Sequence, residues 1–297
     1  MARVLVTGGT GFVGSALVRR LAAAGDDVLV LRRKGHDLRR LAGVAARVRF
    51  VDGDLAVAAA WRAAVREFAP ERVFHCAWYA EPGRYLTAVD ENLAHLQAGI
   101  AFVREVLALR PRHFVGVGTC FEYDTDARVP LREDHTPERP VHVYSACKLA
   151  LKNLALQLAA DAGVPLVWAR VFWLYGPFED ERRLVPHVVG SLRRGERVAL
   201  RSHGRQVRDF LHVDDVAAGL DAAAAFGCAG VVNICSGEGI SVRELTTRIA
   251  RRLGREDLLS FASDDTPLPE PMVVVGDSAR LRALGWQPAI AVGDKFD

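Results

Sequence analysis

Several features are scarce or missing in these 297 residues, and each closes off a class of answer. No apolar run reaches the roughly 18–20 residues that a membrane-spanning helix needs. The Ala-rich stretch 216–229 is shorter than that and carries Asp221, so no membrane partner is expected. An excess of charge is missing too. Lys and Arg total 39 against 36 Asp and Glu, a formal net charge of +3. The arginines are spread along the chain, so no nucleic-acid partner is expected. The five cysteines are Cys76, Cys120, Cys147, Cys228 and Cys235. Their number is odd and none forms a CxxC pair, which argues against a disulfide framework and against a zinc site. The histidines make no ligand pair at helical spacing, and no metal is expected; His75 and His212 fall in strand-like runs and read as core or supporting residues. Met-Ala-Arg leads directly into an apolar strand with no visible secretory signal, so the expected compartment is the reducing cytoplasm. Internal repeats and low-complexity segments are also missing.

What is present is a soluble globular profile, 50% hydrophobic and 25% charged, of a length suited to one large α/β domain or a large domain with a smaller one. Short Val-, Leu- and Phe-rich runs at Val4–Thr7, Val28–Leu31, Val48–Val51, Val73–Ala77, Phe114–Gly118 and Leu166–Val171 read as strands, and several of them lack polar alternation. That is how parallel strands buried on both faces read. Helical patterns at 12–24, 57–67, 88–109 and 144–162 lie between them. The βαβα rhythm predicts a Rossmann-type doubly wound parallel sheet with right-handed crossovers. After Arg170 the rhythm loosens. Helices are expected near 184–194, 214–226, 241–253 and 278–284, and strands near 207–212, 230–235 and 272–275, with a linker marked by Pro267, Pro269 and Pro271.

Thr7-Gly8-Gly9-Thr10-Gly11-Phe12-Val13-Gly14 follows the first strand and opens the first helix. Glycines at 8, 11 and 14 allow a tight turn, close backbone approach to a pyrophosphate, and close helix–strand packing. The helix start then offers free N–H groups and a positive dipole end to phosphates. The bland alternative is a Gly-rich turn of no special purpose. Residues 1–170 are therefore expected to be a dinucleotide-binding domain, with returning segments about 207–235. Segments 171–206 and 236–297 would form a smaller substrate-binding lobe. The second strand ends Leu31-Arg32-Arg33-Lys34 with no acid to accept from a ribose 2′-hydroxyl. Arginine suits a 2′-phosphate, so NADP(H) is favoured over NAD(H); a solvated basic turn is the alternative. Asp54 is expected either to accept from the adenine amino group or to cap the next helix. Leu55 beside it and Ala77 at the end of the fourth strand complete the expected cofactor contacts.

Tyr144-Ser145-Ala146-Cys147-Lys148 opens a helix, and positions i and i+4 share a face. A phenol of pKa ~10 is a poor acid–base group at neutral pH. A nearby lysine and a positive nicotinamide would both lower that value. Tyr144 would then give its proton to the alkoxide that forms when hydride reaches a carbonyl carbon. Thr119, at the end of the fifth strand, is placed to hold the same oxygen. A YxxxK spacing alone is common on helix surfaces. Here it follows a nucleotide turn and a strand-end hydroxyl, which gives it meaning.

With these motifs in place, the chain resembles the extended short-chain dehydrogenase/reductase family, the NAD-dependent epimerase/dehydratases of sugar nucleotides, over almost its whole length. Arg170 to Pro177, Gln206 to Val216, Asn233 to Gly237 and Leu284 to Pro288 carry the rest of the likeness. The resemblance implies a nucleoside-diphosphate sugar as partner, a homodimer built partly from helix 144–162, and contact between Arg208 and the sugar diphosphate. A fork-shaped guanidinium suits that contact; the alternative is a salt bridge to Asp209 or another acid. Asp214 and Asp215 would start a helix that braces the two lobes. Asn92 would orient cofactor or substrate, or be a helix residue without such a role. Cys147, Leu149, Leu151 and Leu154 would supply either dimer contact or core. Three departures stand out. Cys120 and Phe121 occupy the places of the Asp-Glu pair of dTDP-glucose 4,6-dehydratases, and neither can move protons for elimination. Glu122-Tyr123 resembles some reductases of 4-keto-6-deoxy sugars, so Glu122 is a candidate substrate contact or a structural hydrogen-bonding residue. Trp173 replaces an Asn that touches substrate phosphate.

The basic turn and the missing dehydratase acids together favour NADPH-dependent reduction of the 4-keto group of a nucleoside-diphosphate 4-keto-6-deoxyhexose. The second reading is an NAD-dependent nucleoside-diphosphate-sugar 4-epimerase. The third is a non-catalytic nucleotide-binding regulator on the same fold, which intact Thr119, Tyr144 and Lys148 argue against.

Overall fold

In the computed structural model β1 (Arg3–Thr7) buries four of its five residues, as a run of Val, Leu and Val without polar alternation requires. All residues are described except 226–228, 264–265, 267–270 and 297. Cys228, Pro267, Pro269 and the expected last residue of the 214–226 helix therefore lie outside the described residues. The chain continues through α1 (Phe12–Ala23), β2 (Asp27–Arg32), β3 (Val48–Asp52), α2 (Arg62–Phe68), β4 (Arg72–His75), α3 (Val89–Leu107), β5 (His113–Thr119), α4 (Val143–Ala162) and β6 (Leu166–Val171). Then come β7 (Trp173–Tyr175), α5 (Leu184–Arg193), β8 (Val198–Leu200), β9 (Val207–Arg208), β10 (Phe210–His212), α6 (Val213–Ala225) and β11 (Gly230–Ile234). The last elements are β12 (Ile240–Ser241), α7 (Val242–Leu253), β13 (Leu259–Phe261), β14 (Val273–Val274) and α8 (Ala279–Ala283).

Seven strands form one parallel sheet in the order β11-β6-β5-β4-β1-β2-β3. The direction of winding reverses between β1 and β4. A crevice opens there at the carboxyl ends of the strands, where ligands of such sheets bind. Leu17, Leu21, Val216 and Leu220 of α1 and α6 pack one face of the sheet. Phe102, Val103, Leu151 and Ala155 of α3 and α4 pack the other. A separate cluster gathers Val188, Leu192, Leu245 and Ile249 of α5 and α7. Beside the main sheet lie three small ones, β10-β7, β12-β9-β14 and β13-β8. Among the described residues no helix is long and apolar enough to cross a membrane, and no group of three His, Cys, Asp or Glu is placed to hold a metal ion.

Local side-chain bonds account for the departures from the expected boundaries. The helix expected over 57–67 starts at Arg62, because the Asp54 carboxylate accepts from Ala56 N–H at 2.8 Å and the Trp61 indole donates to Leu55 O. These bonds hold the intervening residues in a tighter turn. The strand expected over 73–77 stops at His75, although the Cys76 amide still donates to Thr7 O. The strand expected over 207–212 is broken at Asp209. That carboxylate leaves the strand line to accept from Ser236 N and Oγ, Gly237 N and Gly276 N.

Candidate active site

The turn after β1 is built so that only backbone fits. Gly8 has φ +68°, and a Cβ there would lie 2.6 Å from Ala77 N; a Cβ on Gly14 would lie 2.2 Å from Gly8 O. Gly11 caps α1 without a side-chain bond, which leaves first-turn amides to a phosphate. Gly8, Gly11, Phe12, Val13 and Gly14 border one end of a cleft of about 830 Å³, a volume suited to a cofactor-sized ligand. Ala77 donates its amide to Thr7 Oγ1 at 3.4 Å, which places it as the floor of the turn. Thr10 is buried with its hydroxyl 3.3 Å from His36 Nδ1. The residues present fit a dinucleotide.

The end of β2 differs from the two-arginine expectation. Arg32 donates to Asp52 at 2.7 Å and stacks over the Phe50 ring, so its guanidinium is already committed. Arg33 is exposed. Asp54 is exposed and caps the turn at Ala56, and Leu55 is half-buried. Arg40, which the sequence did not single out, reaches the cleft and donates to Thr10 O and Phe178 O.

Tyr144, Lys148 and Thr119 come together at the middle of the cleft. Ser145 fixes the start of α4 by bonds with His142 backbone. Lys148 is buried, donates to Val117 O at 2.6 Å and lies 4.1 Å over the Trp78 ring. Burial lowers its pKa to about 8. The Tyr144 phenol behaves otherwise than expected. Burial raises its pKa, the nearby Tyr85 hydroxyl adds to the effect, and hydrogen bonding from Thr119 only partly opposes it. Among the groups of the chain itself desolvation outweighs charge. Tyr85 meets Tyr144 edge-on at 4.9 Å.

Two expected ligand contacts instead hold the scaffold. Glu122 is fully buried and accepts from Thr119 N, Trp168 Nε1 and Arg170 Nε. Of its two readings, the structural one describes this arrangement: Glu122 pins the backbone of Thr119. Gly116 and Gly118 make room for it, since a Cβ on either would run into the Trp168 indole. Asn92 is likewise buried. It donates to Tyr85 O and Ala88 O and accepts from Trp78 Nε1, so it ties α3 to the 78–88 loop.

The far end of the cleft is bordered by Trp173, Arg208, Arg201, Ser202 and Gln206. Arg208 lies 5.0 Å over the Trp173 ring. Arg208 donates from Nη1 to Val207 O at 2.8 Å, and the neighbouring Asp209 carboxylate accepts from Ser236, Gly237 and Gly276. Asp214 lies 3.7 Å from Arg19. Asp215 accepts from Ala289 N and Ile290 N, a brace between α6 and the chain end. Sequence reasoning missed Trp78, Tyr85, Glu179 and Arg183, all of which border the cleft. They come from irregular loops, where no periodic pattern marks a residue as facing inward.

The model of the NAD dependent epimerase/dehydratase family matches residues 4–235. The UDP-glucose 4-epimerase of Streptomyces lividans is 28% identical, over 97% of this chain and 92% of that protein. The dTDP-glucose 4,6-dehydratase of Streptomyces griseus is 30% identical, over 98% and 90%. The crystal structure of Thermus thermophilus UDP-glucose 4-epimerase with NAD matches at a TM-score of 0.85 and 27% identity, covering 99% of this chain and 96% of that one.

Proposed function

The chain belongs to the NAD dependent epimerase/dehydratase family, and on that footing we propose that it oxidises and re-reduces C4 of the hexose of a nucleoside-diphosphate sugar, as a 4-epimerase. The observation that carries this reading is one cleft holding the glycine turn, the Thr119–Tyr144–Lys148 group and Arg208. A dinucleotide at one end and a sugar diphosphate at the other would meet at Tyr144. When bound, the nicotinamide takes the C4 hydride and returns it. Tyr144, as phenolate, would take the C4 hydroxyl proton as hydride leaves C4, and would return that proton to the same oxygen when hydride comes back to the opposite face of the turned 4-keto sugar. Thr119 holds the same oxygen. Lys148, fixed between Val117 O and Trp78, supplies positive charge near the phenol. Arg208 binds the diphosphate, and Trp173 walls the pocket beside it. Segments 171–206 and 236–297 serve as the substrate lobe.

Cys120 and Phe121 weigh against elimination, since a thiol raised by burial and a phenyl ring supply no proton transfer there. The UDP-glucose 4-epimerases among the similar proteins weigh toward epimerisation over net reduction. The reductase reading keeps one specific support: Arg32 at the end of β2 is followed by Arg33, with no carboxylate at either position, which suits NADP(H) better than NAD(H). To separate them, purified protein is mixed with UDP- and dTDP-hexoses without added cofactor, and separately with NADPH and a nucleoside-diphosphate 4-keto-6-deoxyhexose. Interconversion of hexoses with no change at 340 nm is expected. Stoichiometric loss of NADPH in the second mixture alone would establish the reductase instead.

A further inference from the structure

The segment from Phe178 to Arg183 borders the cleft through Glu179, Asp180 and Arg183 and is fastened on both sides. On the side of the glycine turn, Arg40 donates to Phe178 O from Nε at 3.1 Å and Nη2 at 2.9 Å, and also reaches Thr10 O. Arg19 lies 5.6 Å from the Phe178 ring. On the other side Arg182 pairs with Glu81 at 2.6 Å. Arg183 donates to Ala80 O and lies 4.9 Å over the Tyr85 ring. Phe178 itself has φ +69°, a conformation that a bulky residue rarely adopts. Such backbone is strained and persists only where the surroundings impose it, often at ligand sites.

The next residue, Glu179, borders the cleft. Its Oε2 is buried with no hydrogen-bond partner. The neighbouring acids are used within the protein, Asp180 by Arg182 and Glu81 by Arg182. Arg183, whose charge acts on Glu179, donates to Ala80 O and lies over the Tyr85 ring. A strained, twice-fastened loop thus holds a carboxyl in the cleft with nothing of the protein's own to bond. Burying such a group without a partner costs stability, so its place calls for a partner that arrives with the ligand.

We propose that Glu179 is a specificity-determining residue whose carboxyl hydrogen-bonds a sugar hydroxyl of a ligand bound in the cleft. The hydroxyl belongs either to a ribose of the dinucleotide or to the hexose of the nucleotide sugar. This rests on the dinucleotide and sugar-nucleotide reading above.

The test uses full-length protein and the variants Glu179→Gln and Glu179→Ala, with NAD, UDP and UDP-glucose as probes in titration calorimetry. Glu179→Ala is expected to weaken one sugar-bearing ligand about 10-fold or more, as loss of a buried hydrogen bond does, with Tm unchanged or raised. Weaker NAD binding with UDP-glucose unaffected assigns the cofactor ribose. Weaker UDP-glucose binding with UDP and NAD unaffected assigns the hexose. The inference is overturned if all three affinities stay within twofold in both variants, if they tighten, or if Tm falls, which would make Glu179 structural. Wild-type protein that binds NAD but not UDP-glucose would sink the sugar-nucleotide reading and leave the ribose arm to decide Glu179. Wild type that binds none of the probes would sink both.

Discussion

Tyr144 and Glu122 separate two kinds of importance at the scale of the residue. Tyr144→Phe removes one oxygen in the cleft and is expected to lower turnover by on the order of 10²–10⁴-fold, with NAD affinity changed only a few-fold; turnover within tenfold of wild type would remove Tyr144 from the chemistry. Glu122→Ala strips the carboxylate from a buried Arg170 and a buried Trp168 indole. Breaking such a pair from one side costs about 3–5 kcal/mol, so thermal unfolding is expected to shift by many degrees whatever the activity does. Glu179 offers a sign that pH can read. Burial raises its pKa to about 8, so the native state holds that proton more tightly than the unfolded chain. The group is harmless to stability below the unfolded carboxyl pKa and becomes costly as pH rises toward 8. Glu179→Gln is therefore expected to match wild-type stability near pH 4.5 and to gain on it up to about pH 8. A constant difference across that range would show that the carboxyl is not desolvated. The sequence named Thr119, Tyr144 and Lys148 because their spacing carries direction along a strand end and a helix face. It left Glu122 between two readings and pointed Asn92 at the ligand first, because residue type does not show which way a side chain turns. Both are satisfied inside the protein, by Arg170 and Trp168 in one case and by Trp78 and the 85–88 backbone in the other.

Elements were legible where the physics is repetitive. The inner strands of the parallel sheet, such as β1, β5 and β6, are apolar runs buried on both faces, whereas the edge strand β3 is mostly exposed or half-buried, and α4 repeats Cys147, Leu151, Ala155 and Ala159 as a buried stripe. The expected dimer-or-core group resolves accordingly: Cys147 and Leu151 are core, Leu149 is half-buried, and Leu154 is exposed. Three-residue strands such as β8 and β13 carry no period to detect, and one-residue interruptions like Asp209 depend on partners distant in sequence. The turn between β1 and α1 gives the element-scale test. Gly14→Ala puts a methyl where Gly8 O already stands, so the turn must open. Loss of NAD binding is expected, with the helical content by circular dichroism retained. Unchanged NAD affinity would mean that the turn does not hold the pyrophosphate.

At the scale of the whole molecule, the winding of the sheet brings Gly8, Ala77 and Thr119 to one crevice from strands far apart in sequence, and the later elements supply Trp173 and Arg208 from the opposite side. The helices α3 and α4 leave Val89, Leu93 and Leu154 exposed, which suits pairing of two copies through these helices. Light scattering is expected to give twice the mass of the chain, and Leu154→Arg to give a single one. A monomeric wild type would instead leave these side chains as ordinary surface. The most direct measurement follows the hydrogen at C4. Purified protein is incubated with UDP-glucose and dTDP-glucose carrying deuterium at C4, and the products are read by NMR. The C4 epimer with the deuterium still at C4, formed by wild type and not by Tyr144→Phe, is expected. Epimer formed with the deuterium lost to solvent, or formed equally well by Tyr144→Phe, would contradict hydride removal and return at C4 assisted by that phenol.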